Sequence, residues 1–106
     1  MILRPRSFSK TVTASGTREK LTTNTTKVAM LTIQAKVANA GDIYVGGSDV
    51  SSTNCIAILD ARESVSLDAT QYGMANAMWD MTNIWLDTSN SGDGVVVGYA
   101  DRAENE

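Results

Sequence analysis

The chain contains no histidine and one cysteine, Cys55, which removes most of the side-chain chemistry that catalysts use. Histidine is the commonest general base near neutral pH and the commonest metal ligand. Without it, neither a Ser-His-Asp nor a Cys-His set can be assembled from this chain. A zinc site of the usual Cys/His kind lacks its ligands too. Carboxylates remain: Asp42, Asp49, Asp60, Glu63, Asp68, Asp80, Asp87 and Asp93. Paired carboxylates can hydrolyse glycosidic bonds. All of these, however, fall in or near expected turns, where Asp bonds the local backbone. Asn90-Ser91-Gly92-Asp93-Gly94 offers oxygens to calcium but lacks the EF-hand spacing and its closing glutamate, so it reads as a turn. Gly41, Gly46 and Gly47 are not followed by the Gly-Lys-Ser/Thr of a phosphate-binding loop. Cys55 adjoins an apolar run and is expected to be a buried, inert thiol. The residues therefore predict a chain that is not an enzyme and needs no cofactor or metal.

The side chains suited to recognition lie elsewhere. Met74, Met78 and Met81 are spaced as on one helical face, with Tyr72, Trp79 and Trp85 within or beside them. Trp and Met are enriched in protein interfaces, and Trp dominates binding hot spots. Trp85 lies between Ile84 and Leu86, so if those two face a core it points away from them. It then packs within the fold, anchors a subunit contact or serves as a stacking platform for a ligand. A second candidate is the basic N-terminal stretch. Arg4, Arg6 and Lys10 occur with no acid among the first ten residues, and Phe8 is available to hold the segment down. It reads either as a solvated terminus or as an arm lying across an acidic neighbour.

Composition sets the frame that must position these groups. A chain of 106 residues implies one domain, and at this size about 65% of the unfolded surface becomes buried. Twelve acidic and nine basic residues give a net charge of −3, which argues against binding nucleic acid through a basic field. A single cysteine excludes an internal disulfide. No run approaches the roughly 18 apolar residues of a membrane span. The opening Met-Ile-Leu-Arg-Pro-Arg lacks the apolar core of a signal peptide, so synthesis and packaging in a cytoplasm are expected. Asn24-Thr25-Thr26 then reads as a polar turn despite fitting a glycosylation sequon.

Short apolar runs separated by Gly, Ser, Thr and Asn predict strands joined by turns. Residues 1–10 read as an extended arm, with Pro5 turning Arg4 away from helix. Residues 11–106 read as a single β domain. The clearest strand is Val28 to Val37, with Ala29, Leu31, Ile33, Ala35 and Val37 on one face. Ile43–Val45, Ile56–Leu59 and Ser64–Asp68 follow. Asn83–Thr88 then has Ile84 and Leu86 inward, and Val95–Tyr99 has Val95, Val97 and Tyr99 on one face. Residues 71–81 read as a short helix or a loop. The fold class expected is all-β: a small antiparallel sandwich, jelly roll or barrel.

The order of residues from Val28 onward adds a resemblance. Leu31-Thr32-Ile33-Gln34-Ala35 leads to Asn39-Ala40-Gly41-Asp42-Ile43-Tyr44-Val45-Gly46. Then come Asp49-Val50-Ser51-Ser52-Thr53-Asn54, Glu63-Ser64-Val65-Ser66-Leu67, Asn83-Ile84-Trp85-Leu86-Asp87 and Gly92-Asp93-Gly94-Val95-Val96-Val97. This pattern of strands and turns resembles small virion structural proteins of tailed bacteriophages and cyanophages. The sequence departs from them at Cys55 and Ala57, where glycine and proline are common, and at Ala61-Arg62, where a proline-glycine turn is usual. The resemblance implies a capsid decoration (cement) protein on the capsid exterior, or a tail or fibre component. It implies a homo-oligomer, often a trimer, bound to the major capsid protein. Arg4, Arg6, Phe8, Lys10, Met74, Met78, Trp79 and Trp85 would supply the partner contacts. A carbohydrate-binding module using Trp85 and Tyr72 is the expectation from another class.

Overall fold

The computed structural model describes residues 3–69 and 77–102. Ten strands run in the order β1 (Leu3–Thr11), β2 (Glu19–Lys20), β3 (Lys27–Val28), β4 (Met30–Ala35), β5 (Ile43–Gly46), β6 (Ala57–Leu59), β7 (Ser64–Asp68), β8 (Trp79–Asp80), β9 (Trp85–Thr88) and β10 (Gly94–Arg102). A 3₁₀ turn, Met81–Asn83, precedes β9. No α-helix occurs among the described residues.

The pairing follows one rule. The first strand pairs with the last, the second with the second last, and so on inward to β5 with β6, every pair antiparallel. The chain is thus one long hairpin folded at residues 47–56. Two further pairings, β10 with β4 and β9 with β5, roll that hairpin into two four-stranded sheets ordered β1-β10-β4-β7 and β2-β9-β5-β6, with β3 and β8 as a small separate ribbon. This is a jelly-roll sandwich rather than a closed barrel.

Alternation places the core between the layers. Val95, Val97, Leu31, Ile33 and Ala35 face inward from one sheet, and Ile43, Val45, Leu59 and Leu86 from the other. Val12, Leu21, Met81 and Ile84 fill the ends. The strand expected over 28–37 is divided: β3 ends at Val28 and β4 starts at Met30, because the Ala29 carbonyl accepts the Ala69 N–H at 2.8 Å.

The basic segment is extended, and it is the edge strand β1, paired with β10 at all nine positions from Leu3–Arg102 to Thr11–Gly94. Arg4, Phe8 and Lys10 are half-buried between exposed neighbours. This is a two-residue period invisible to hydropathy, because long basic side chains bury their stems.

At one end of the sandwich the loops crossing between sheets are knitted together by Asp93. Its carboxylate accepts from Ala40 N at 3.1 Å, Gly41 N at 2.7 Å and Asn90 Nδ2 at 3.0 Å. Burial opposes its ionisation, but the Gly41 amide, the Asn90 side chain and the Ala40 amide outweigh that and hold its pKa below the ordinary value. Asn39 completes the joint, accepting Gly94 N at 3.0 Å and donating to Gly94 O at 2.8 Å. Gly94 must be glycine, since a β-carbon there would collide with the Lys10 carbonyl oxygen.

Arg62 has φ +73° in the Asp60–Glu63 turn, closed by Glu63 N to Asp60 O at 2.9 Å. This is the position where the resembled proteins usually have glycine, and a left-handed conformation costs an L-residue about 1–2 kcal/mol.

Two substitutions test these joints in thermal or urea unfolding. Asp93→Ala strands two loop amides and is expected to cost about 3 kcal/mol. Arg62→Gly is expected to gain about 1 kcal/mol; a loss would show that the turn does not strain Arg62.

Candidate functional site

The structure separates the residues selected from sequence. β1 and β7 are opposite edges of one sheet, roughly 14 Å apart at ordinary strand spacing. The basic residues lie on the β1 edge, while Trp79 and Met78 lie toward the β7 flank. Met74 and Tyr72 fall outside the described residues.

On the β6–β7 flank an apolar groove of about 360 Å³ opens between the sheets, lined by Ile56, Val65, Leu67, Trp79 and Ile84, with Gly46 and Gly47 at one side. Trp79 is half-buried against the core. The pairing of β8 with β3, with Val28 opposite Trp79 and Lys27 opposite Asp80, fixes its position. The 3₁₀ turn after it is capped by Asp80, whose carboxylate accepts Thr82 N at 3.0 Å and the Thr82 hydroxyl at 2.7 Å. Ile56, a wall of this groove, is 63% exposed; Ile58, on the outer face of β6, is 53% exposed and Met78, which precedes Trp79, 54%. The two isoleucines were not selected from sequence. Their signal was an apolar run too short to fill both faces of β6, since Ile58 pairs with Tyr44 on the outer face while Leu59 and Ala57 point inward.

Trp85 does not line this groove. It sits on the outer face of the second sheet, opposite Lys20 and Gly46, and Lys20 Nζ lies over its ring 5.8 Å from the centroid. The outward direction expected from Ile84 and Leu86 holds, but a cation already covers the ring. Val50, 1% exposed, folds against Gly46 on this side, 2.9 Å from where a β-carbon would stand.

The β1 residues have engagements within the chain. Phe8 meets Tyr99 edge to face, with centroids 6.3 Å apart. Lys10 Nζ lies 2.9 Å from Glu19 Oε1. Glu19 Oε2 accepts Thr13 N at 2.8 Å and the Thr13 hydroxyl at 2.6 Å. Because Lys10 is on β1 and Glu19 on β2, this group clasps one sheet to the other. Arg4 is half-buried and Arg6 exposed. Arg6 lines a cleft of about 490 Å³ with Phe8, Asn24, Met81 and Tyr99.

Two acidic features bear on chemistry. Asp42 and Asp60 flank the paired ends of β5 and β6. The Asp42 carboxyl beside it, through hydrogen bonding to the protonated form and then charge repulsion, raises the pKa of Asp60. Asp87, expected in a turn, is instead inside β9 and 6% exposed. Cys55, expected to be buried, is half-exposed. Among the described residues no group of three or more Cys, Asp or Glu side chains has an arrangement that could hold a metal ion, and no helix is long and apolar enough to cross a membrane.

No protein-family model matches the chain, and neither the curated proteins nor the solved structures searched give a match.

The clasp yields a pH-dependent prediction. The Thr13 hydroxyl, then the Lys10 hydrogen bond, lower the Glu19 pKa from 4.5 to about 2. A depressed acid stabilises the fold above its unfolded value, and that stability is lost as pH falls through the folded value. Glu19→Gln is therefore expected to cost about 1–2 kcal/mol at pH 7. The gap to the parent should hold above pH 4.5 and close as pH drops toward 2, as read by urea unfolding across that range.

Proposed function

We propose that this chain is a structural protein of a tailed-phage virion, a capsid decoration protein that binds the major capsid protein on the outside of the head. The observation that carries the reading is the groove walled by Trp79 and exposed Ile56, with Ile58 of β6 and Met78 next to Trp79 also exposed. Apolar side chains grouped on a small domain mark contact surfaces, and Trp and Met are typical of them. The resemblance supports the same reading. Its Asn39-to-Gly46 and Gly92-to-Val97 segments are those that Asn39 and Asp93 tie together. Jelly-roll sandwiches occur in viral capsid domains, as in lectins and cupins, so the fold is compatible with the role without deciding it.

The mechanism is mass action. A protein that binds only the assembled shell stabilises it by RT ln(1 + [L]/Kd). A homotrimer spanning several shell subunits repeats each contact, so modest contacts become strong together. Trp79 and Met78, with Ile56 and Ile58, provide the shell or trimer contact. The β1 strand, with Phe8 and Lys10 engaged internally, serves as scaffold, and Arg4 and Arg6 lie along it toward the shell.

Particles produced with the gene for this chain are expected to show density for it at regular shell positions in electron cryo-microscopy. Heads lacking it should lose their DNA at lower temperature. Adding back the purified protein should restore them, and adding Ile58→Asp should not. Its absence from purified heads would overturn the reading, and its presence on tails alone would move the role to a tail or fibre component.

A further inference from the structure

Two aspartates, Asp87 and Asp93, are buried and Glu19 is half-buried; of these three, two are saturated. Asp93 accepts from three donors, and Glu19 from Lys10 and from both Thr13 groups. Asp87 differs. Its Oδ1 accepts Gly16 N at 3.0 Å and Thr88 N at 2.7 Å. Among the described residues no donor reaches Oδ2, and that oxygen is not sealed from solvent. Among the described residues no cation pairs with Asp87, although it is only 6% exposed. An aspartate this buried is ordinarily paired, because desolvating a carboxylate is costly.

The carboxylate lines a cavity of about 290 Å³ whose other walls include Tyr44 and the hydroxyl-bearing Ser15, Ser52 and Ser89. Tyr44 stands directly across from Asp87 in the β5–β9 ladder, so both side chains leave the same face of the sheet. A carboxylate oxygen in need of donors, an aromatic wall and a rim of hydroxyls form a set that suits a cation: charge for charge, a π face beside it, and acceptors for the remaining N–H groups. A sugar is disfavoured because Trp85, the aromatic residue two positions along the same strand face, already has Lys20 over its ring.

We propose that the Asp87 cavity is a binding site for an alkylammonium or guanidinium group, such as the end of a lysine or arginine side chain. The site is independent of the virion reading, since it needs only the fold.

The test is an amide NMR titration of the full chain with methylguanidinium and ethylammonium chloride at constant ionic strength, with sodium chloride and methyl glucoside as comparison probes. The Gly16 and Thr88 amides are expected to shift saturably with the organic cations in the millimolar range. Asp87→Asn keeps Oδ1 for both amides and removes the charge, and should weaken binding at least tenfold. If that variant does not fold, Ser52→Lys, which adds an ammonium group at the rim of the same cavity, should abolish the shifts without touching those two bonds. Extending the series to a lysine- or arginine-bearing peptide distinguishes a protein source from a free amine by tighter binding. Shifts that follow sodium chloride equally, that do not saturate, or that survive in both variants would overturn the proposal. Saturation by the glucoside alone would assign the cavity to a sugar.

Discussion

Asp93 is the constraint on which the two-sheet arrangement rests. A sandwich built from one folded hairpin must send its chain repeatedly from one sheet to the other, and each crossing leaves backbone groups without ladder partners. Here three crossings meet at one end. The β4–β5 connection gives Ala40 N and Gly41 N to the Asp93 carboxylate, and the chain after β1 gives Val12 N to the Asp93 carbonyl at 2.9 Å. The β9–β10 connection carries Asp93 itself. Ser89 and Ser91 extend the same net, accepting Asp42 N and Ser15 N at 2.8 Å each. Asparagine at 39 then continues the β4–β10 ladder with a side-chain amide in place of a backbone one. With the buried Asp93 carboxylate taking three donors at its centre, the network ties the crossings firmly. It fixes the register from which each strand's inward set follows.

That net leaves the opposite features of the molecule free for contact. Among the described residues, Ile56, Ile58 and Met78 remain exposed. The polar end spends its serines and asparagines on its own loops, and the β1 edge spends Lys10 and Phe8 on the neighbouring strands. Division of labour between a self-satisfied end and an apolar flank is consistent with a subunit whose work is adhesion.

Much of the architecture was legible in the sequence because alternation leaves a direct trace. Leu31-Ile33-Ala35, Ile84-Leu86 and Val95-Val97-Tyr99 point where a two-residue period places them, though Tyr99 is only half-buried. The chemistry of the arm was not legible. Arg4, Phe8 and Lys10 occupy the inward side of β1, but two of the three are charged, and a charge reads as solvent exposure. The distant partners Glu19 and Tyr99 account for Lys10 and Phe8. Asp87 was misplaced for a similar reason. Aspartate signals a turn, whereas here the 12–18 loop folds over β9 and hands it Gly16 N. Ile56 and Ile58 were obscured because a short apolar run does not reveal which of its members lacks a covering layer. The Arg62 turn was signalled only by a departure from a usual proline-glycine pair.

The nested pairing of the strands also governs the order in which the molecule can be completed. During synthesis β5 and β6 emerge close together and can meet at once. The segment forming β1 has no strand partner until residues 94–102 have left the ribosome. The outer strand therefore waits with its hydrogen-bonding edges open while the strands between them are made. Closure is a late, long-range event of the kind that makes sandwich proteins fold in milliseconds to seconds. Pro5 and the basic residues of that strand are the features that discourage a stray strand from pairing during this interval.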